Sequence, residues 1–147
     1  NDAFVAEGFA LKGIFESGAI YTLAFVDPFE ADTAGHAAMR ATLGNFTDSA
    51  STFLVAGWAS QYHLKGVLEA AIKGGDITRA GIRRAAANVN VESDGMMPTR
   101  ELGQNRADAD SSIGQPDGSI PSGSRSLASR YVGKTAAAYD WDAGPCS

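Results

Sequence analysis

Apolar residues recur every three to four positions over residues 3 to 16, as Phe4, Val5, Phe9, Leu11, Ile14 and Phe15. That spacing predicts an amphipathic helix, with Asp2 available as N-cap and Ser17-Gly18 ending it. Residues 19 to 26 form a short apolar run rich in β-formers (Ile20, Tyr21, Leu23, Phe25, Val26), which predicts a buried strand. Asp27-Pro28 stops that strand and opens a polar loop. Asp32 or Thr33 caps a second helix through His36, Met39, Arg40 and Leu43, closed by Gly44. Ser51 caps the longest helix, about residues 52 to 73. Its apolar residues (Phe53, Val55, Trp58, Tyr62, Leu64, Val67, Leu68, Ala71, Ile72) nearly encircle it, which predicts burial on most faces. Gly74-Gly75 terminates it, and Thr78 caps a further helix with Ile82 and Ala85-Ala86-Ala87.

Val89, Val91 and Gly95-Met96-Met97-Pro98 suggest a short strand or an extended turn. Residues 103 to 126 differ in kind. Gly, Ser, Asp, Asn and Pro dominate there, with Ile113 and Ile120 isolated, and the stretch reads as a long exposed loop. Tyr131-Val132 and residues 136 to 141 read as short terminal strands. Helices alternating with short apolar strands point to α/β architecture. Three or four strands are few for a complete open sheet.

Composition sharpens that shortage. Of 147 residues, 26 are Ala, whereas Leu, Ile, Val and Phe together number 29. The core is thin, or the chain is a piece of a larger fold whose remaining core lies elsewhere. The net charge of −5 argues against a nucleic-acid partner. No apolar run is long enough to span a bilayer, and no signal-peptide pattern opens the chain. The single cysteine, Cys146, is either a lone thiol or bonds outside this chain.

Chemistry is sparse. No phosphate-cradling GxGxxG or GxxxxGK[ST] occurs, and no GxSxG nucleophile elbow. His36 and His63 fall on separate helices without a metal-ligand pattern, so each reads as a surface or partly packed imidazole and no metal or cofactor is expected. Glu16, Glu30 and Glu69 lack partners at a spacing that signals acid–base work. Phe53, Trp58 and Tyr62 are either core packing or the aromatic wall of a ligand pocket.

The order of the segments adds to this reading. Ser17-Gly18-Ala19-Ile20-Tyr21-Thr22 is followed by Asp32-Thr33-Ala34-Gly35-His36-Ala37-Ala38-Met39. Then come Gly57-Trp58-Ala59, Gly75-Asp76-Ile77-Thr78-Arg79-Ala80-Gly81-Ile82, Glu92-Ser93-Asp94-Gly95-Met96-Met97-Pro98 and Tyr139-Asp140-Trp141. The series resembles the C-terminal part of the substrate-binding proteins of branched-chain amino acid ABC transporters, over most of the chain except residues 103 to 130. The resemblance implies part of a two-lobed type I periplasmic-binding-protein fold with three-layer αβα lobes, here incomplete. Residues 1–26 would end lobe two, and 27–98 would supply lobe-one helices and a strand. Residues 99–130 would be the long loop, and 131–147 would return towards lobe two.

The implied function is binding without catalysis: a small polar solute held in an interlobe cleft by hinge closure, outside the cytoplasm of a bacterium. The implied partners are the N-terminal portion of the same protein, which this chain lacks, and an ABC permease. Phe53 stands where the family places an aromatic against the ligand, although the same side chain can instead staple the helix start. Asn1 and Asp2 stand nearest the family's acidic partner for an α-ammonium group. Asn1 lacks the charge, so an amide or another small polar compound enters as a candidate solute. Two other classes remain open from the residues alone. One is a self-standing interaction module, marked by cooperative unfolding of the 147 residues by themselves. The other is an enzyme with an unrecognised site.

Overall fold

A computed structural model describes residues 17–44, 50–97, 100–101, 110–140 and 143. The helix expected over 3 to 16, with Asn1, Asp2 and Glu16, lies outside the described residues, as do Trp141 and Cys146. The chain runs β1 (Thr22–Ala24), α1 (Ala34–Leu43), α2 (Thr52–Lys73), α3 (Arg79–Ala86), β2 (Asn90–Val91), β3 (Arg100–Glu101), β4 (Asp110–Pro116), β5 (Ser124–Val132) and α4 (Lys134–Ala138).

The three long helices start at the residues their caps dictate. Thr33, Ser51 and Thr78 each hold an extended backbone and accept a hydrogen bond from the backbone N–H three residues on, at His36, Leu54 and Gly81. Each bond satisfies one of the donors that a helix leaves open in its first turn. Gly74 and Gly75 end α2, and Gly75 takes a φ of 72°, a conformation in which a Cβ is strained.

Strand β1 is shorter than the sequence predicts, but it seeds the larger sheet. That sheet has the order β1-β4-β5 and is antiparallel throughout. Thr22, Leu23 and Ala24 face Gly114, Ile113 and Ser112. The β4–β5 pair runs from Asp110 opposite Val132 to Pro116 opposite Ser124, with register irregularities between Ser111 and Gly114. The expected loop over 103 to 126 is therefore corrected, because it contains β4, the turn and the start of β5. The strands escape a hydrophobicity-based reading because their contact face is built from small residues. A Cβ on Gly114 would lie 2.5 Å from Ser124 Oγ and 3.0 Å from Thr22 Oγ1, so the three strands close only around a glycine. The strand expected over 136 to 141 is also corrected. Residues 134 to 138 are helical, as suits an alanine run.

The core gathers under α1 and α2: Val26, Phe29, Met39, Ala50, Val55, Ala59, Met96 and Met97. The loop after Asp27-Pro28 is not simply polar, since Phe29 drops into this core. Arg40 of α1 holds the loop in place, its guanidinium donating to the carbonyls of Phe29 (2.7 Å) and Ala31 (3.0 Å). The two-stranded β2–β3 pair lies beside α2, where Gly66 leaves room for Val91, whose Cγ2 would sit 2.8 Å from a Cβ there. The expected burial of α2 on most faces is corrected. Val55, Ala59, Val67 and Ala71 face inward, while Phe53, Leu64, Leu68 and Ile72 are exposed.

Candidate functional site

Two features have the chemistry of a site. The first is a polar seam where the chain passes from β1 into the helical part. Asp27, three residues past the end of β1, is buried, and its carboxylate accepts a hydrogen bond from Ser112 of β4. His36, on the first turn of α1, is fully buried. Its Nδ1 lies 2.8 Å from Thr33 Oγ1, and among the described residues its Nε2 has no hydrogen-bond partner. Burial lowers the His36 pKa from its ordinary 6.5, the backbone and charge of Asp27 oppose that, and the Arg40 and Arg130 cations reinforce it.

Further polar ties fasten the seam. Ser122, buried after the 117–120 turn, donates from its N–H and hydroxyl to the two carboxylate oxygens of Glu30, at 2.9 and 2.6 Å. Arg130, at a φ of 55° in β5, donates to the Gly95 carbonyl (2.8 Å) and lies 3.5 Å from the Asp110 carboxylate. Ser93 bonds both the N–H and the carbonyl of Met97 (2.7 and 2.8 Å), fixing the turn on which α1 rests. These contacts tie the β1-β4-β5 sheet and its loops to the helical part of the chain.

The second feature is an open groove of about 590 Å³ along α2, lined mainly by Trp58, Tyr62, Leu64, Leu68 and Ile72, with Asp94 beside Tyr62. The lining is largely apolar, which suits a hydrophobic occupant better than a free ion. Burial raises the Tyr62 pKa, and the neighbouring Asp94 carboxylate adds to the effect, so its hydroxyl stays protonated at neutral pH.

The expected site residues are dispersed. Asn1 and Asp2 lie outside the described residues. Phe53 is 84% exposed on the first turn of α2 and does not line the groove. Trp58 and Tyr62 both flank the core and line the groove, so the two readings of the aromatic set merge there. His36 is corrected from a surface or partly packed imidazole to a fully buried one. Glu69 pairs with Lys65 on the same helix, and Glu30 with Ser122. Among the described residues no group of three or more His, Cys, Asp or Glu is placed to hold a metal ion. None of the helices there is long and apolar enough to cross a membrane. Sequence reasoning missed Asp27, Ser112 and Ser122, whose partners are 85 and 92 residues distant and leave no local signal.

No protein-family model matches the sequence, and no curated protein sequence is significantly similar to it. The structure is similar to that of a fatty acid ABC transporter substrate-binding protein from Thermomonospora curvata, with a TM-score of 0.69 over 81% of this chain. The two sequences are 17% identical, so the likeness is one of fold. The chain has the α/β architecture of part of a periplasmic-binding-protein-like fold, and it spans 32% of that neighbour's length.

Proposed function

We propose that this chain is part of a solute-binding protein of the branched-chain amino acid type, serving a bacterial ABC importer. In this reading it contributes to two lobes that close on a small polar solute, an amino acid, an amide or a similar compound, in the periplasm or at the outer cell surface. The closed form is then read by the importer's permease. The observation that carries the reading is the fold match over 81% of the chain, which agrees with the order of segments in the sequence.

The internal geometry supports a lobe boundary at residues 26 to 29. The β1-β4-β5 sheet lies on one side and α1 to α3 on the other, with the Asp27–Ser112 and Glu30–Ser122 bonds between them. Hinge closure in such proteins is absorbed by a few loop or element-terminal residues, and residues 26 to 29 lie in the connection between β1 and α1. Phe53, exposed at the start of α2, is available as a wall against the solute, and Asn1 and Asp2 are proposed as its polar contacts. Binding of this kind needs two walls to desolvate the solute. The reading assigns no residue a chemical step.

The test is calorimetric titration of the polypeptide that carries this sequence, purified natively from its source. The panel is leucine, its amide, other amino acids, and a medium-chain fatty acid, the solute class in the neighbour's name. The expected result is saturable one-to-one heat with at least one small polar solute, reduced by Phe53→Ala, and negligible heat from the 147 residues alone. Silence across the panel, or micromolar binding by the isolated monomeric chain, would overturn the reading.

A further inference from the structure

We infer that Arg130 is a latch across the proposed hinge, fastening the β1-β4-β5 sheet to the turn on which α1 rests. The register of β4 and β5 makes the direction of its side chain a built feature. Ser111 pairs with Tyr131 and Ile113 with Ala128, so Ser112 alone on β4 faces Ser129 and Arg130 together on β5. Two residues against one is a β-bulge, which bends a strand and re-aims a side chain. Arg130 takes the left-handed conformation there, at a φ of 55°, which costs a residue with a Cβ free energy that its surroundings must return. The return is the reach of the guanidinium, whose Nη2 donates to the Gly95 carbonyl at 2.8 Å. The acceptor is equally fixed. Asp94 and Gly95, at φ of 49° and 83°, are the centre of a tight turn that the Met96 N–H closes onto the Ser93 carbonyl at 3.0 Å. The Asp94 carbonyl accepts from the Gly35 N–H of α1 at 2.9 Å, so the turn carries α1 with it. Asp110 of β4 lies 3.5 Å from Arg130 Nη1, with the two side chains only 29% and 14% exposed. This counter-charge belongs to the sheet, so the guanidinium keeps its aim whether or not Gly95 is engaged. Asp27 and Glu30 lie in the connection between β1 and α1, and their bonds to Ser112 and Ser122 fasten the connection itself. The Arg130–Gly95 bond instead bridges that connection, from sheet to turn. A swing of the sheet about residues 26 to 29 must break it, and the bond therefore biases the hinge towards the conformation described.

The latch rests on the lobe boundary proposed at residues 26 to 29, but its test uses no solute, so a silent titration and a failed latch are separate results. It is tested by amide hydrogen exchange, read by mass spectrometry, on the full polypeptide that carries this sequence. Arg130→Met keeps the apolar stem and removes the donors. The amides of Gly35 and Met96 report the turn and its hold on α1, and they should exchange about tenfold faster in this variant. The amides of α2 around Val67 should keep their wild-type rate. A variant that merely lowered global stability would speed both sets alike. Arg130→Lys keeps the cation but not the planar fork, so it should speed the Gly35 and Met96 amides about threefold, and it serves as the readout if Arg130→Met does not fold. The bulge has its own check. Because φ there is 55°, Arg130→Gly should melt above Arg130→Ala, the reverse of the usual order within a strand. Unchanged exchange at Gly35 and Met96, or equal acceleration throughout α2, overturns the latch. An Arg130→Ala variant melting at or above Arg130→Gly overturns it equally.

Discussion

The seat of α1 on the turn at residues 93 to 96 can be tested with two glycine-to-alanine substitutions that differ only in what surrounds the new methyl group. Gly57 lies in α2 with nothing within 4 Å of the position its Cβ would take. Gly35 lies in the first turn of α1, its N–H bonded to the Asp94 carbonyl at 2.9 Å. A Cβ there would collide with the Met96 side chain, 2.8 Å from Sδ, and approach the Ser93 carbonyl oxygen at 2.9 Å. Met96 is fully buried and the carbonyl belongs to a turn that Ser93 and Met97 hold rigid, so neither yields cheaply. Alanine gains about 0.5–1 kcal/mol over glycine inside a helix, and somewhat less in its first turn. Overpacking a well-filled site costs about 1–3 kcal/mol. Gly57→Ala should therefore stabilise the chain by about 0.5–1 kcal/mol, and Gly35→Ala should destabilise it by about 1–2 kcal/mol. Urea unfolding followed by circular dichroism at 222 nm reads both changes against wild type. A Gly35→Ala midpoint at or above wild type would refute the packing of α1 on that turn. A Gly57→Ala midpoint below wild type would refute the open outer face of α2.

Three further outcomes follow from the same geometry. Ser51→Ala removes the side-chain cap of α2 and should cost about 1 kcal/mol, while Thr33→Ala should cost more, because it strips both the cap of α1 and the oxygen beside His36 Nδ1; equal midpoints for the two variants would contradict the His36 contact. Because burial holds the folded His36 pKa below 6.5, the unfolded chain takes up the proton first as pH falls. The neutral imidazole's advantage is therefore present above pH 6.5 and lost as pH drops below it towards the folded pKa, and His36→Gln should flatten that part of the stability curve; parallel wild-type and variant curves between pH 7 and 5 would refute this. Ser112→Ala leaves the buried Asp27 carboxylate without its hydroxyl donor and should destabilise by about 1–3 kcal/mol, measured by thermal melting, and a neutral effect would mean that the seam does not bind the sheet to the helices.

The helices were legible because their signals are local. Thr33, Ser51 and Thr78 each precede an apolar-periodic run, and the caps form at those residues. The faces of α2 were not legible in the same way. Small residues such as Ala59, Ala71 and Gly66 point inward because they allow close approach to Val91 and to the core, while the large Leu64 and Ile72 point out. Counting large apolar residues therefore locates the wrong side of that helix. The β4–β5 pair was hidden for a related reason. Ser112 and Gly114 are buried by closeness and hydrogen bonding, not by hydrophobicity. The Pro116-Asp117-Gly118 sequence was the available clue, a turn signal between two stretches that only pairing makes into strands. The order of segments pointed to the fold that the structure has, whereas the candidate site residues were scattered along the chain. The seam of Asp27, His36, Ser112 and Ser122 joins positions too distant for any spacing rule to connect.

The central claim, that this chain works as part of a two-lobed solute binder, is tested most directly by native mass spectrometry of the material purified from its source. The account predicts this sequence within an assembly or longer polypeptide about three times its 15.2 kDa mass, as its 32% share of the neighbour implies, that retains a small polar solute under gentle activation. A mass composed only of 15.2 kDa chains, one copy or two, with no solute retained or taken up, would contradict it.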